Sequence, residues 1–184
     1  MTTVARSEEA TLIAAASRGD EAAFEALVRA HSGAVYAHAL RFFGDPEAAQ
    51  DVVQEVFVKM YRSLSTFDGR AALSTWLYRV TRNVCLDMLR SGARRPVPID
   101  PIDIALTANN DTAAAAIDHV ALEQAIRALA PEDRDALGAV TLFGLSYAEA
   151  ATELGIPEGT VKSRVFRARR TLASTFGADG GVTR

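Results

Sequence analysis

The chain has 184 residues, 49% of them hydrophobic, which suffices for one medium domain or two small ones. A single cysteine, Cys85, excludes an internal disulfide, and no apolar run approaches the roughly 20 residues that a membrane helix needs. The net charge of −3 hides two basic blocks, residues 70–95 and 160–184, each with six bases against one acid.

Clustered rather than total charge marks a polyanion footprint, so the two blocks point to two separate contacts with nucleic acid or to two solvated helix faces. The N-terminal "MTTVARSEEATLIAAAS" lacks the basic-then-apolar order of a secretion signal, and a soluble cytoplasmic protein is expected. Ser7 is a candidate cap for a short first helix ending at Gly19. Asp20 starts a second, with Phe24, Leu27 and Val28 at helical spacing. In "GDPEAAQ", Gly44 can end one helix, Asp45 can cap the next and Pro46 suits its first turn. That third helix should reach about Leu64, with Ala49, Val52, Val53, Val56, Phe57, Met60 and Leu64 inward. Asp51, Gln54, Glu55, Val58 and Arg62 then face away.

"STFDGRA" is a loop, and a fourth helix should run from Ser74 or Thr75 to about Arg90. Leu77, Val80, Val84 and Met88 form its inner face, with Trp76, Arg79, Asn83 and Arg90 opposite. A Trp beside Arg and Asn suits unstacked bases, which stack on aromatics and offer their edges to amides. Packing of Trp76 against the preceding helices is the alternative. "RRPVPIDPIDIALTANNDT" follows, with three prolines in six positions and no base after Arg95. Proline removes amide donors and disfavours helix before it. A linker over 96–112 is expected, dividing the chain into domains at 1–95 and 113–184.

Helices resume beyond Thr112, with Leu122, Ala125, Ile126 and Leu129 in one stripe and Pro131 opening a further helix. Ser146 and Glu149 form S-x-x-E, a capping box. Gly155 ends that helix after two turns and Pro157 begins the next, which makes a helix-turn-helix. Ala151 is small where the two helices would cross, and Val161 should point into the corner. On the second helix Val161, Val165, Ala168 and Leu172 fall inward. Ser163, Phe166, Arg167 and Arg170 fall opposite, with Lys162 beside them and Arg164 near the core edge. Bases, a hydroxyl and an exposed aromatic on one face suit a DNA major groove. An ordinary helical hairpin could share the spacing.

"DVVQEVFVKMYRSLSTFDG" and "STWLYRVTRN", followed after the linker by "LEQAIRALAPEDRDALGAVTLFGLSYAEAATELGIPEGTVKSRVFRARRTL", resemble the extracytoplasmic-function (ECF) sigma factors of the sigma-70 family. The resemblance spans residues from about 20 to 175, with both blocks in the family's order. It implies an all-α fold of two small helical domains joined by a flexible linker, and a subunit that directs core RNA polymerase to promoters. Asp51, Gln54, Glu55, Val58 and Arg62 would grip the polymerase. Phe67, Asp68, Arg79 and Asn83 would hold a flipped base of the minus-ten element, with Trp76 at the junction of duplex and bubble. Lys162, Ser163, Arg164, Phe166, Arg167 and Arg170 would meet the minus-thirty-five element, Arg164 through a phosphate. The acidic linker would thread the polymerase channel. An anti-sigma factor is the further partner implied.

Enzyme motifs are missing from the sequence. His31, His38 and His119 are scattered without ligand spacing, and there is no glycine-rich phosphate loop and no G-x-S-x-G. No cofactor, metal or catalytic residue is expected, and Cys85 reads as a packing residue. The rival reading is a stand-alone helix-turn-helix regulator, which would act without replacing the sigma subunit.

Overall fold

The computed structural model describes residues 3–67, 69, 71–92, 124–126 and 128–177. The expected linker 96–112, Asp68, His119 and Leu122 lie outside these. The chain divides into two compact units. One comprises residues 1–97 with Leu142–Gly144, the other residues 98–141 and 145–184. Among the described residues all regular structure is helical.

The first unit contains α1 (Thr3–Ala16), α2 (Glu21–Phe43), α3 (Pro46–Ser63), a 3₁₀ turn (Leu64–Thr66) and α4 (Leu73–Arg90). Ser7 is no cap: it lies inside α1, and its carbonyl accepts from Thr11 Oγ1 at 3.0 Å. The helix ends at Ala16 rather than Gly19, which closes the following turn at φ 94°. Asp20 caps α2 by accepting from the Ala23 amide at 3.0 Å. Gly44, at φ 74°, returns its amide to the Leu40 carbonyl, a left-handed stop that glycine adopts at no steric cost. Asp45 then accepts from the Glu47 amide, with Pro46 in the first turn of α3.

The core of this unit is built from Leu27, Val35, Phe43, Val52, Val56, Met60, Leu73, Leu77 and Tyr78, all essentially inaccessible. Val53, Val80 and Met88 are only half-buried, because an apolar stripe wider than the contact leaves its margins open. Helix α4 begins at Leu73, ahead of Ser74 and Thr75, without a side-chain cap; Leu73 is buried, so packing replaces capping. Thr81 is buried mid-helix, its hydroxyl donating to the Leu77 carbonyl at 2.7 Å. Cys85 is buried beside it. His38 is buried edge-on to Tyr78, whereas His31 is half-buried with Nε2 2.9 Å from Glu9 Oε1.

In the second unit, Ala125, Ile126 and Leu129 are buried ahead of α5 (Pro131–Thr141), α6 (Tyr147–Leu154) and α7 (Glu158–Gly177). The capping box on α6 is complete: the Ser146 hydroxyl accepts from the Glu149 amide, and the Glu149 carboxylate accepts from the Ser146 amide at 2.8 Å. Gly155, at φ 66°, closes α6. Pro157 stands just before α7, its carbonyl accepting the amides of Thr160 and Val161. The alanine fully buried on α6 is Ala150, one position before Ala151, which is half-exposed.

Candidate nucleic-acid interface

Helix α3 turns two chemistries outward in one strip. Asp51, Gln54, Glu55 and Arg62 are exposed, and Val58 is 42% exposed. Glu55 pairs with Lys59 at 2.9 Å along the helix. Tyr61, 66% exposed, continues the strip one turn beyond Val58 and two beyond Gln54, with its ring edge-on to Phe24 of α2 at 5.2 Å. The sequence reading missed Tyr61; the i, i+4, i+7 spacing of Gln54, Val58 and Tyr61 was its signal. Beside the strip, Ser32, Gly33, Tyr36, Gln50, Val53 and Gln54 line an open groove of about 430 Å³ between α2 and α3.

The loop after α3 and the start of α4 form the next surface. Phe67 and Trp76 meet edge to face, centroids 6.5 Å apart and planes at 82°. Both are half-buried against Met60, Ser63, Leu64 and Leu73. Trp76 therefore packs on the preceding elements and still shows part of its ring to solvent. Arg79 and Asn83 are exposed one turn apart on the same helix.

In the second unit α7 has a clean division. Val161, Val165 and Ala168 are buried, and Leu172 is half-buried. Lys162, Ser163, Arg167 and Arg170 are exposed, Phe166 is 67% exposed, and Arg164 sits half-buried at the margin. The Ser163 hydroxyl donates to the Thr160 carbonyl at 2.9 Å, so its lone pairs remain available outward. Lys162 contacts Glu158 at 2.6 Å and lies over the Tyr147 ring at 5.8 Å. The hydrogen bond to Glu158, then its charge, raises the lysine pKa, so Lys162 is a cation at any physiological pH.

Arg167 departs from the picture of a helix bristling with free bases. Its Nε donates to Asp133 Oδ2 at 3.1 Å and its Nη2 to Asp133 Oδ1 at 2.7 Å. Asp133 belongs to the first turn of α5 and is nearly buried. A residue 34 positions away carries no local signal, so sequence periodicity did not find the partner. The hydrogen bond to Asp133 raises the arginine pKa further, so Arg167 stays a cation. Among the described residues no helix is long and apolar enough to cross a membrane, and no group of three His, Cys, Asp or Glu residues could hold a metal ion.

Comparison with known proteins agrees with this layout. Residues 27–95 match sigma-70 region 2, and residues 119–172 match sigma-70 region 4. The RNA polymerase sigma-H factor of Pseudomonas aeruginosa is 35% identical, over 90% of this chain and 92% of that protein. The ECF sigma factor SigM of Mycobacterium tuberculosis is 37% identical, over 92% and 85% of the two chains. Among solved structures, the sigma factor RpoE of Bartonella quintana, in complex with the anti-sigma factor NepR, superposes with a TM-score of 0.66 at 25% identity, covering 85% of this chain and 98% of that one. Both halves of the chain, in one order, thus have the same kind of counterpart, and the stand-alone regulator is set aside. The chain belongs to the ECF sigma factors of the sigma-70 family, which direct RNA polymerase in transcription initiation.

Proposed function

We propose that the two units divide promoter recognition between them. In domain 1–95, Asp51, Gln54, Glu55, Val58 and Arg62, extended by Tyr61, dock on core RNA polymerase. Phe67, Asp68, Trp76, Arg79 and Asn83 of the same domain hold unstacked bases of the minus-ten element. Segment 96–112 connects the domains, and domain 113–184 reads the minus-thirty-five element with Lys162, Ser163, Phe166, Arg167 and Arg170, while Arg164 touches a phosphate. The observation that carries the reading is Phe166, 67% exposed between exposed bases on a helix whose opposite face buries Val161, Val165 and Ala168. An aromatic kept in water is explained by a partner surface such as the thymine methyl.

Strand opening draws on polymerase contacts and captured bases rather than on a reaction catalysed by this chain. It works in the cytoplasm, where polymerase and promoter lie. As the Bartonella quintana relative was solved with an anti-sigma factor, a partner of that kind is expected to cover the same docking faces here. The test is initiation by purified core polymerase plus this protein on a panel of promoter fragments, with no other sigma factor present. Specific transcripts are expected; none across the panel, with core binding intact, overturns the promoter-reading assignment.

A further inference from the structure

We infer that Asp133 is a positioning residue for DNA recognition: it fixes the Arg167 guanidinium so that its outer edge reads one guanine of the minus-thirty-five element. The inference rests on the assignment of α7 as the reading helix.

A guanidinium carries five N–H groups in a rigid plane. Asp133 takes two of them, Nε–H and one Nη2–H, in a side-on pair at 3.1 and 2.7 Å. The remaining Nη2–H and one Nη1–H share the far edge, the other Nη1–H lying on the Cδ side, and no bond to them is formed among the described residues. That far edge is the fork that matches guanine O6 and N7. The Asp133 side chain is 11% exposed, that of Arg167 57%, so the anchor is inside and the presented edge outside. Asp133 is itself held: it sits in the first turn of α5, where the helix dipole favours a carboxylate, and α5 packs along α7.

Charge separates this role from simple phosphate attraction. With Asp133 in place the pair is neutral overall, so Arg167 adds little to the salt-dependent pull of the backbone. What the pair adds is direction. Removing the carboxylate charge should therefore lower sequence discrimination while raising indiscriminate attraction. A plain structural tether would lower both together.

The experiment uses the full-length protein with core RNA polymerase. The probe is a pool of promoter duplexes randomised across the minus-thirty-five element, with binding repeated over a salt series. Wild type should enrich guanine at one position. Asp133→Asn, nearly isosteric, should reduce that enrichment on the order of tenfold and spare the other positions. The plot of log affinity against log salt should steepen by about 0.9, as one freed cation engages a phosphate. Arg167→Lys, which keeps the charge and loses the planar fork, should reduce discrimination at the same position. Unchanged preference in Asp133→Asn overturns the proposal, as does an even loss at every position while α5 and α7 keep their amide protection. Should Asp133→Asn fail to fold, wild-type preference in Arg167→Lys overturns it instead. Lys162→Ala and Ser163→Ala keep the two levels apart. Should they shift preference while the pair's variants do not, only the positioning role falls; should none shift it, the reading helix falls as well.

Discussion

Trp76 is the one tryptophan of the chain, so its fluorescence reports a single place, the edge-to-face contact with Phe67. Phe67→Ala removes the ring that covers one side of the indole. An edge-to-face pair contributes about 0.5–1.5 kcal/mol beyond its buried area. Phe67 is only half-buried, so truncation forfeits roughly half of the ~1.5–3 kcal/mol that full burial would bring. Water can fill the opened crevice, so no closed-cavity penalty is added. The sum is a loss of about 1.3–3 kcal/mol. For a domain of this size each kcal/mol lowers the melting midpoint by roughly 4–8 °C. Emission in the folded state should move to longer wavelength, and urea unfolding followed at Trp76 should show an earlier midpoint. Promoter opening with core polymerase should fall too, because an indole that has lost its support no longer presents a fixed stacking face. An unshifted emission maximum together with an unshifted midpoint would refute the reasoning, since it would mean that the ring contact orders nothing.

Asp51→Arg with Glu55→Arg reverses the charge of an exposed strip and spares the buried stripe of α3. Losing the exposed pair between Glu55 and Lys59 costs about 0.3–0.5 kcal/mol. Helicity should persist while co-purification with core polymerase drops; wild-type recovery with core would remove the docking assignment. Asn83→Ala changes an exposed amide. It should impair open-complex formation or relax minus-ten preference with core binding intact, and identical opening across single-base promoter variants would count against it. Val161→Asp places a carboxylate at a fully buried position in the corner between α6 and α7. An unpaired charge there costs several kcal/mol. Amide protection of α6 and α7 and the use of every minus-thirty-five sequence should vanish together; protection at wild-type levels would contradict the burial.

The elements were legible where the signal is local. Asp20, Gly44, Asp45, Ser146, Glu149 and Gly155 each stop or start a helix through bonds to neighbours within four residues, and each does so in the structure. The outward face of α7 was equally legible, because a 3.6-residue period is enough to separate Val161, Val165 and Ala168 from Lys162, Ser163 and Phe166. Two local signals misled. Ser7 has the chemistry of a cap but lies within α1, and Ala72, with no capping side chain, precedes α4 because Leu73 is held by packing. Tertiary pairing was illegible throughout: neither Phe67 against Trp76 nor Asp133 against Arg167 follows from spacing along the chain. The second pair changes what a base on α7 is worth.

Counted along the sequence, residues 159–172 carry five bases and no acid. In the folded unit, Glu158 lies against Lys162 and Asp133 against Arg167, so two of those five charges already have a counter-charge. Residues 96–159 hold eleven acids, Asp133 and Glu158 among them, against two bases. Salt screens such charges beyond about 8 Å at physiological strength, yet within that range they repel phosphates. One short helix with a reduced positive field makes few contacts, so the free chain should hold promoter DNA weakly and discriminate mainly through directed groups. On the proposed division of promoter recognition, polymerase would supply the missing affinity by fixing two weak readers on one promoter, where the second contact forms at high effective concentration. Weak binding by the free subunit is then useful: it leaves promoters unoccupied until core polymerase is present.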